Sequence, residues 1–355
     1  MNLKKEKVLL TGGCGYIGSH TAVILLELGF DLVIIDSNIN SSSKVIDRIN
    51  KIVFKESEID KSRLSFYKGD LRNKKFLENI FNEEKLKNNQ VSFVIHFAGL
   101  KSVGDSNIMP LNYWDVNVNG TINLLEVMIK NNCKNLIFSS SATVYEASYR
   151  ENFSEKDNLK PSNPYGNTKM SIEILLKNIF NSNPEGWKIA CLRYFNPIGA
   201  HPSGLIGENP TDKVNNIFPI ILNVAMGNVD KLEVFGDNWD TADGTCIRDY
   251  VHVMDVSHGH IKTFQYLLKN KPEFLTLNIG TGKGTSVLEL IKTFEEINNV
   301  EVPYIFSRRR KGDLKKVVAD SSLALSLLRW RPERSISEMC KDGWKWKVLN
   351  PNGYK

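Results

Sequence analysis

Short apolar runs of β-type residues alternate with helical patterns through the first half of the chain, and that alternation constrains the fold most. It is the pattern of a parallel sheet covered by helices on both faces. Val8 to Thr11, Leu32 to Asp36, Leu64 to Tyr67, Phe93 to Phe97, Leu136 to Ser139 and Ile189 to Tyr194 read as strands. Ile17 to Leu28, Lys74 to Phe81, Trp114 to Lys130 and Tyr165 to Phe180 read as the helices between them. Residues 38–63 are polar, with Ile46, Ile49, Ile52 and Val53 at helical spacing, and read as a peripheral surface helix. Beyond Asn196 the pattern loosens into turns at Pro197, Gly199, Pro202, Gly204, Gly207 and Pro210. The expectation is an α/β chain with a doubly wound sheet over residues 1–196 and a smaller α/β lobe over 197–355, with 245–270 returning to the first.

Gly12, Gly15 and Gly18 follow the first strand and open the first helix, in a G-x-x-G-x-x-G arrangement. Glycines are needed where the turn is tight, where a pyrophosphate must approach the backbone, and where a helix N-terminus offers unpaired N–H groups to an anion. Asp36 ends the next strand, at the distance where a carboxylate accepts hydrogen bonds from an adenosine ribose. Together they make the sheet Rossmann-type. Because an acid there repels a ribose 2′-phosphate, the dinucleotide is expected to be NAD. Asp70 after the third strand would suit the adenine, and Phe97, Ala98 and Gly99 lie at the carboxyl end of the fourth.

Tyr165 and Lys169 form Y-x-x-x-K, one turn apart on one helix face, and Ser139 to Thr143 bring hydroxyls to the same rim of the sheet. A sugar alcohol loses hydride from carbon and a proton from oxygen together, so a base must sit beside a nicotinamide. A tyrosine of pKa about 10 needs a shift of about three units, roughly 4 kcal/mol, to serve near neutrality. One cation at about 5 Å in an effective dielectric of about 20 supplies roughly 3 kcal/mol before desolvation. Lys169 and the oxidised nicotinamide together meet the demand.

Composition removes other classes. The formal charge is +6 over 355 residues, with basic side chains interspersed among acids, which is no nucleic-acid footprint. The one dense cluster is Arg308, Arg309, Arg310 and Lys311. Cys14, Cys133, Cys191, Cys246 and Cys340 are odd in number and far apart, which suits reduced thiols and neither a disulfide framework nor a zinc site. With no long apolar stretch and no cleavage-type segment, a cytoplasmic protein without membrane or metal is expected.

Thr11 to His20, His96 to Lys101, Ser139 to Tyr145, Pro164 to Gly166, Leu192 to Pro197, Gly199 to Gly204, Arg248 to Asp255, Arg309 to Asp313 and Asn350 to Tyr354 resemble the UDP-glucose 4-epimerases of the extended short-chain dehydrogenase/reductase family. The resemblance implies interconversion of UDP-glucose and UDP-galactose, as in galactose metabolism, through a transient 4-keto sugar. It implies that Ser141 hydrogen-bonds the reacting hydroxyl, that Tyr165 is the base, and that Lys169 binds the nicotinamide ribose. Contacts to NAD are implied at Gly12, Gly15, Tyr16, Ile17, Gly18, Asp36, Asn40, Asp70, Leu71, Phe97, Ala98, Gly99, Lys101, Tyr165 and Lys169. UDP-sugar contacts are implied at Lys101, Ser141, Tyr165, Asn196, Asn216, Phe235, Arg248, Arg310 and Asp313. A homodimer packed through helices around Trp114 to Lys130 and Tyr165 to Phe180 is implied as well.

Two positions depart from the family pattern. Glu146 follows Tyr145 where glycine is usual, and Val317 stands where many bacterial members carry tyrosine beside the sugar. The valine leaves room for UDP-N-acetylglucosamine. A sugar-nucleotide 4,6-dehydratase would need an acid and base beside the serine, where Ala142, Thr143 and Val144 stand. For Arg248, an ion pair with Asp249 is the alternative to a ligand contact.

Overall fold

The computed structural model describes residues 6–54, 62–146, 152–210, 216–310 and 312–355, and gathers the apolar runs into one seven-stranded sheet. Edge to edge the order is Phe274–Ile279, Lys188–Tyr194, Asn135–Ser141, Val91–His96, Lys7–Thr11, Asp31–Asp36 and Leu64–Lys68, every pair parallel. A parallel sheet buried on both faces needs strands that are apolar on both, hence Val8, Leu9 and Leu10 in succession, all without exposure. Val8 and Leu10 join the core under helices Tyr16–Glu27 and Val253–Lys269, while Leu9 joins the core under Lys74–Leu86, Gly120–Lys130 and Pro164–Ser182. The chain order reverses between Lys7–Thr11 and Val91–His96, which opens a crevice at their carboxyl ends.

Some elements differ from the sequence reading. The strand Phe274–Ile279 was not among those expected, because a six-residue apolar alternation beyond Asn196 looks no different from the turns around it. Helix Val253–Lys269 lies against Tyr16–Glu27, with the Thr21 hydroxyl donating to Ser257 Oγ at 3.2 Å between them. The single helix expected over Trp114 to Lys130 is broken into a π-helical turn, Trp114–Asn119, and an α-helix, Gly120–Lys130. Lys44–Val53 is a helix, but Val45 and Ile49 are fully buried in the main core, so it is less peripheral than its polar composition suggested.

A smaller four-stranded sheet orders Thr285–Ser286, Ile247–Arg248, Lys316–Ala319 and Asn152–Phe153. A separate core of Phe218, Leu222, Leu290, Phe294 and Cys340 packs helices Ile217–Ala225, Val287–Asn298 and Ile336–Leu349 nearby. Each sheet takes one strand from the far side of residue 196. All five cysteines are buried and free. No helix among the described residues is long and apolar enough to cross a membrane.

Candidate functional site

Gly12 takes φ +68°, and a Cβ there would stand 2.6 Å from the Ala98 nitrogen. The turn after the first strand therefore needs glycine twice over, for its left-handed backbone and for the Phe97–Gly99 loop behind it. A Cβ at Gly18 would lie 2.6 Å from the Gly12 carbonyl oxygen, so only glycine lets the helix start flush against the turn. Gly15 is the N-cap and offers no side-chain cap to the first-turn N–H groups. The Asp36 carboxylate accepts from Cys14 N at 3.0 Å, Asn38 N at 2.9 Å and Ser41 Oγ at 2.8 Å, which ties the second strand to the turn. An open backbone cradle, a bare helix N-terminus and an acid at the strand end fit the pyrophosphate and ribose of NAD.

The remaining residues expected around the dinucleotide are less uniform. Tyr16 and Ile17 are half-buried at the helix start, and the Tyr16 hydroxyl donates to Gly199 O at 2.6 Å. Asn40 is half-buried in the loop after Asp36, and Leu71 is packed into the core. Asp70 is paired with Arg72 at 2.7 Å, and that guanidinium lowers its carboxyl pKa. Its carboxylate is thus already engaged in this structure.

Asn163 caps the helix Pro164–Ser182 by accepting from Gly166 N at 2.9 Å, and Pro164 at its first position needs no N–H partner. This start puts Tyr165 in the first turn and Lys169 one turn on. Ser141 ends the neighbouring strand, its hydroxyl accepting from Thr143 N at 3.2 Å and Thr143 Oγ1 at 3.0 Å. Lys169 Nζ donates to Ser139 O at 2.8 Å, 4.8 Å from the Phe138 ring centre and 5.9 Å from that of Tyr165. Burial pushes the Tyr165 phenol up to about 12, opposed by the Ser141 hydroxyl and reinforced by Tyr113. Burial also pulls Lys169 down to about 8, opposed by Glu173. Burial thus works against the phenolate, and Lys169 and any further cation beside it favour the base form.

Asn117, which sequence reasoning missed, sets the loop facing this lysine. Its amide accepts from Leu100 N at 2.8 Å and donates to Leu100 O at 3.1 Å and to Thr168 Oγ1 at 3.0 Å. A Cβ on Gly99 would stand 3.1 Å from Asn117 Oδ1 and 3.7 Å from Lys169 Nζ. Its one signal was position in a π-helical turn, a distortion frequent at functional sites but invisible in the sequence pattern.

Beyond Ser141 and Tyr165, six of the expected sugar-nucleotide residues fall into three pairs, with Asn196 apart. Lys101 is exposed and pairs with Glu208 at 2.8 Å, and Asn216 Nδ2 approaches the same carboxylate at 3.3 Å. Arg248 Nη2 donates to Asp313 at 2.8 Å, and its Nη1 to Ile247 O at 2.8 Å and Leu314 O at 2.9 Å. The Arg310 guanidinium lies 3.8 Å from the Phe235 ring centre. Asn196 is half-buried, its N–H donating to Asp249 O at 3.0 Å.

The alternative of an Arg248–Asp249 ion pair is not what forms. Asp249 is fully buried and accepts from Thr281 N, Gly282 N and Ala319 N, because neighbouring residues on extended chain point to opposite sides. Within the run of basic residues, Arg308 is exposed while Arg309 lies 4.0 Å from the Trp239 ring centre. Glu146 holds its loop through Lys160 at 3.4 Å and a backbone bond to Asn158 O at 2.9 Å. Val317 stands beside Arg248 in register and packs on the cluster of Val144, Tyr145, Phe153, Phe195 and Ala319. That cluster also takes in Ala142, next to Ser141.

The family model described as GDP-mannose 4,6 dehydratase matches residues 9–343. A UDP-glucose 4-epimerase of Dictyostelium discoideum is 44% identical over 349 residues, 98% of each chain. A crystal structure of UDP-glucose-4-epimerase from Stenotrophomonas maltophila, with bound NAD and formylated UDP-arabinopyranose, matches with a TM-score of 0.91 and 41% identity, over 98% of this chain and 99% of that one. The UDP-Glc/GlcNAc 4-epimerase from Campylobacter jejuni matches with a TM-score of 0.82 and 32% identity, over 97% of this chain and 99% of that one.

Proposed function

The chain belongs to the UDP-glucose 4-epimerase family of extended short-chain dehydrogenases/reductases, and we propose on that footing that it interconverts UDP-glucose and UDP-galactose by inverting carbon 4. The observation that carries the reading is the buried Tyr165 and Lys169 on one helix face, at the rim where Ser141 ends its strand, in a fold whose first turn fits NAD. NAD, held by the Gly12–Gly18 turn and Asp36, would supply a hydride acceptor and donor for carbon 4 and a further positive charge beside Tyr165. Tyr165 takes the proton from the 4-hydroxyl and gives it back to the 4-oxygen when hydride returns, and Ser141 donates a hydrogen bond that orients that oxygen. Lys169, fixed on Ser139 O, keeps a positive charge near the phenol oxygen. Arg248 and Arg310 come from separate segments and offer guanidinium forks to the diphosphate. Residues 1–196 then carry the dinucleotide and residues 197–355 most of the UDP-sugar contacts, in a cytoplasmic enzyme whose five thiols are buried and free. The 4,6-dehydratase alternative that the family model's description suggests lacks support beside Ser141, where Ala142, Thr143 and Val144 carry no acid.

Incubation with a panel of UDP-sugars without added NAD, followed by separation of the carbon-4 epimers, tests this. The expected result is interconversion with no NADH accumulating. NADH in proportion to product would point to a simple dehydrogenase.

Arg248→Lys is expected to raise KM for UDP-glucose about tenfold with a smaller change in kcat, since a lysine replaces the fork by a point charge. An unchanged KM would remove Arg248 from the phosphate contacts.

A homodimer packed through the helices around Trp114 to Lys130 and Tyr165 to Phe180 fits the exposure of Trp114 (41%), Ile122 (38%), Ile129 (51%) and Ile174 (52%). Light scattering should find a dimer for the wild type and a monomer for Ile122→Lys/Ile174→Lys. A dimer that survives both lysines would place the interface elsewhere.

A further inference from the structure

Ser140, Arg193 and Asn278 stand side by side on three adjacent strands, paired in register, and are 1%, 3% and 0% exposed. In a sheet covered on both faces such positions call for apolar residues, and a buried guanidinium persists only if fully paired. The pairing runs in two directions. Toward the catalytic helix, Glu173 accepts from the Ser140 hydroxyl, from Arg193 Nε at 3.0 Å and from Arg193 Nη2 at 2.6 Å. Away from it, Arg193 Nη1 donates to the Tyr145 hydroxyl at 3.1 Å, which donates to Asn278 Oδ1 at 2.6 Å. Asn278 Nδ2 in turn donates to Phe153 O at 2.8 Å and Asp320 O at 3.2 Å, at the end of the smaller sheet.

Glu173 lies one turn beyond Lys169 and two beyond Tyr165, on the same helix face. Three consecutive strand residues thus meet three consecutive turns of helix. Ser139 offers its carbonyl to Lys169, the Ser140 hydroxyl binds Glu173, and the Ser141 hydroxyl acts on Tyr165.

We propose that Glu173, clamped by Ser140 and Arg193, is a positioning residue that fixes the catalytic helix on the Ser139–Ser141 strand end and sets a carboxylate one turn below Lys169. The roles of Tyr165 and Lys169 rest on the epimerase reading above. The carboxylate favours the charged ammonium against the burial that pulls it to about 8. Around Lys169 stand Tyr165 and Glu173 on its own helix, Phe138 and Ser139 on the adjacent strand, His96 on the next, and Asn117 behind Gly99. Tyr113 and Tyr194 face the phenol. His96 is pushed down to about 3 and is neutral at working pH, so Glu173 is the anion among them. Lys169 loses its charge as pH rises through its pKa, so the alkaline limb of kcat is the readout.

In the NAD-loaded enzyme, Glu173→Gln keeps the side chain's shape and removes its charge. It is expected to lower kcat about tenfold with little change in KM, and to move the alkaline limb down by about one unit, because Lys169 then lacks the carboxylate that favours its charge. Glu173→Gln/Arg193→Met separates positioning from mere structure. A thermal midpoint that recovers while the limb stays displaced supports the proposal. Recovery of midpoint, kcat and limb together would overturn it. Ultraviolet difference titration of the phenolate, against Tyr165→Phe in each background, gives a readout without substrate. With NAD bound, whose positive charge would hold the phenol below Lys169, Tyr165 should titrate at higher pH when Glu173 is Gln, because the ammonium beside it is less fully charged, and an unmoved titration overturns the positioning role whether or not the wild type turns over a UDP-hexose. Absence of that turnover sinks only the epimerase reading.

Discussion

Tyr165→Phe is expected to lower kcat by about two to four orders of magnitude while NAD stays bound, the scale typical of losing an acid–base group. The ring is 9% exposed and remains in place, so packing against the strand end is kept and only the oxygen goes. Ser141 is not orphaned, since its hydroxyl still holds Thr143 N and Oγ1. Lys169 keeps its bond to Ser139 O, and the glycine turn and Asp36 are untouched. Cofactor content and thermal midpoint should therefore stay near wild type. Turnover close to wild type in this variant would refute Tyr165 as the base, and loss of NAD would show that the phenol serves the cofactor site instead.

How much of this was legible in the sequence depended on how far apart the partners lie. The glycine turn, Asp36 and the Tyr165/Lys169 pair declare themselves locally, because strand, turn and helix spacing alone fix which groups share a face or a strand end. The Asn135–Ser141 strand ran two residues further than its apolar run, since Ser140 and Ser141 are polar positions that pair with Arg193 and Tyr194 across the sheet. The strand Phe274–Ile279 was hidden for a related reason: only its place beside Lys188–Tyr194 makes a short alternation into a sheet edge. Partner choice was the least visible feature. Arg248 sits next to Asp249 in sequence but pairs with Asp313, and Lys101 pairs with Glu208, both set by tertiary approach. Glu173 could be placed on the catalytic face by spacing, but its clamp required knowing that Ser140 and Arg193 are register partners.

Val317→Tyr is expected to abolish most turnover of UDP-N-acetylglucosamine while largely sparing UDP-glucose, because in the wild type both sugars should be accepted. Val317 is half-buried beside Arg248 in the parallel register, with Ala142 and Tyr145 in the same apolar cluster. One side of the valine rests on packed neighbours, so an added phenol ring must extend toward its exposed side. There it would overlap an N-acetyl group on sugar carbon 2, and relieving the overlap by side-chain or backbone shifts costs about 1 to 3 kcal/mol. That range corresponds to a selective loss of about five- to 150-fold in kcat/KM. The hydroxyl of glucose at the same carbon is smaller and should escape most of it. Measuring both substrates in both proteins decides the matter: equal loss on the two sugars would place Val317 away from carbon 2, and no N-acetyl turnover in the wild type would mean that neighbouring side chains already fill the space.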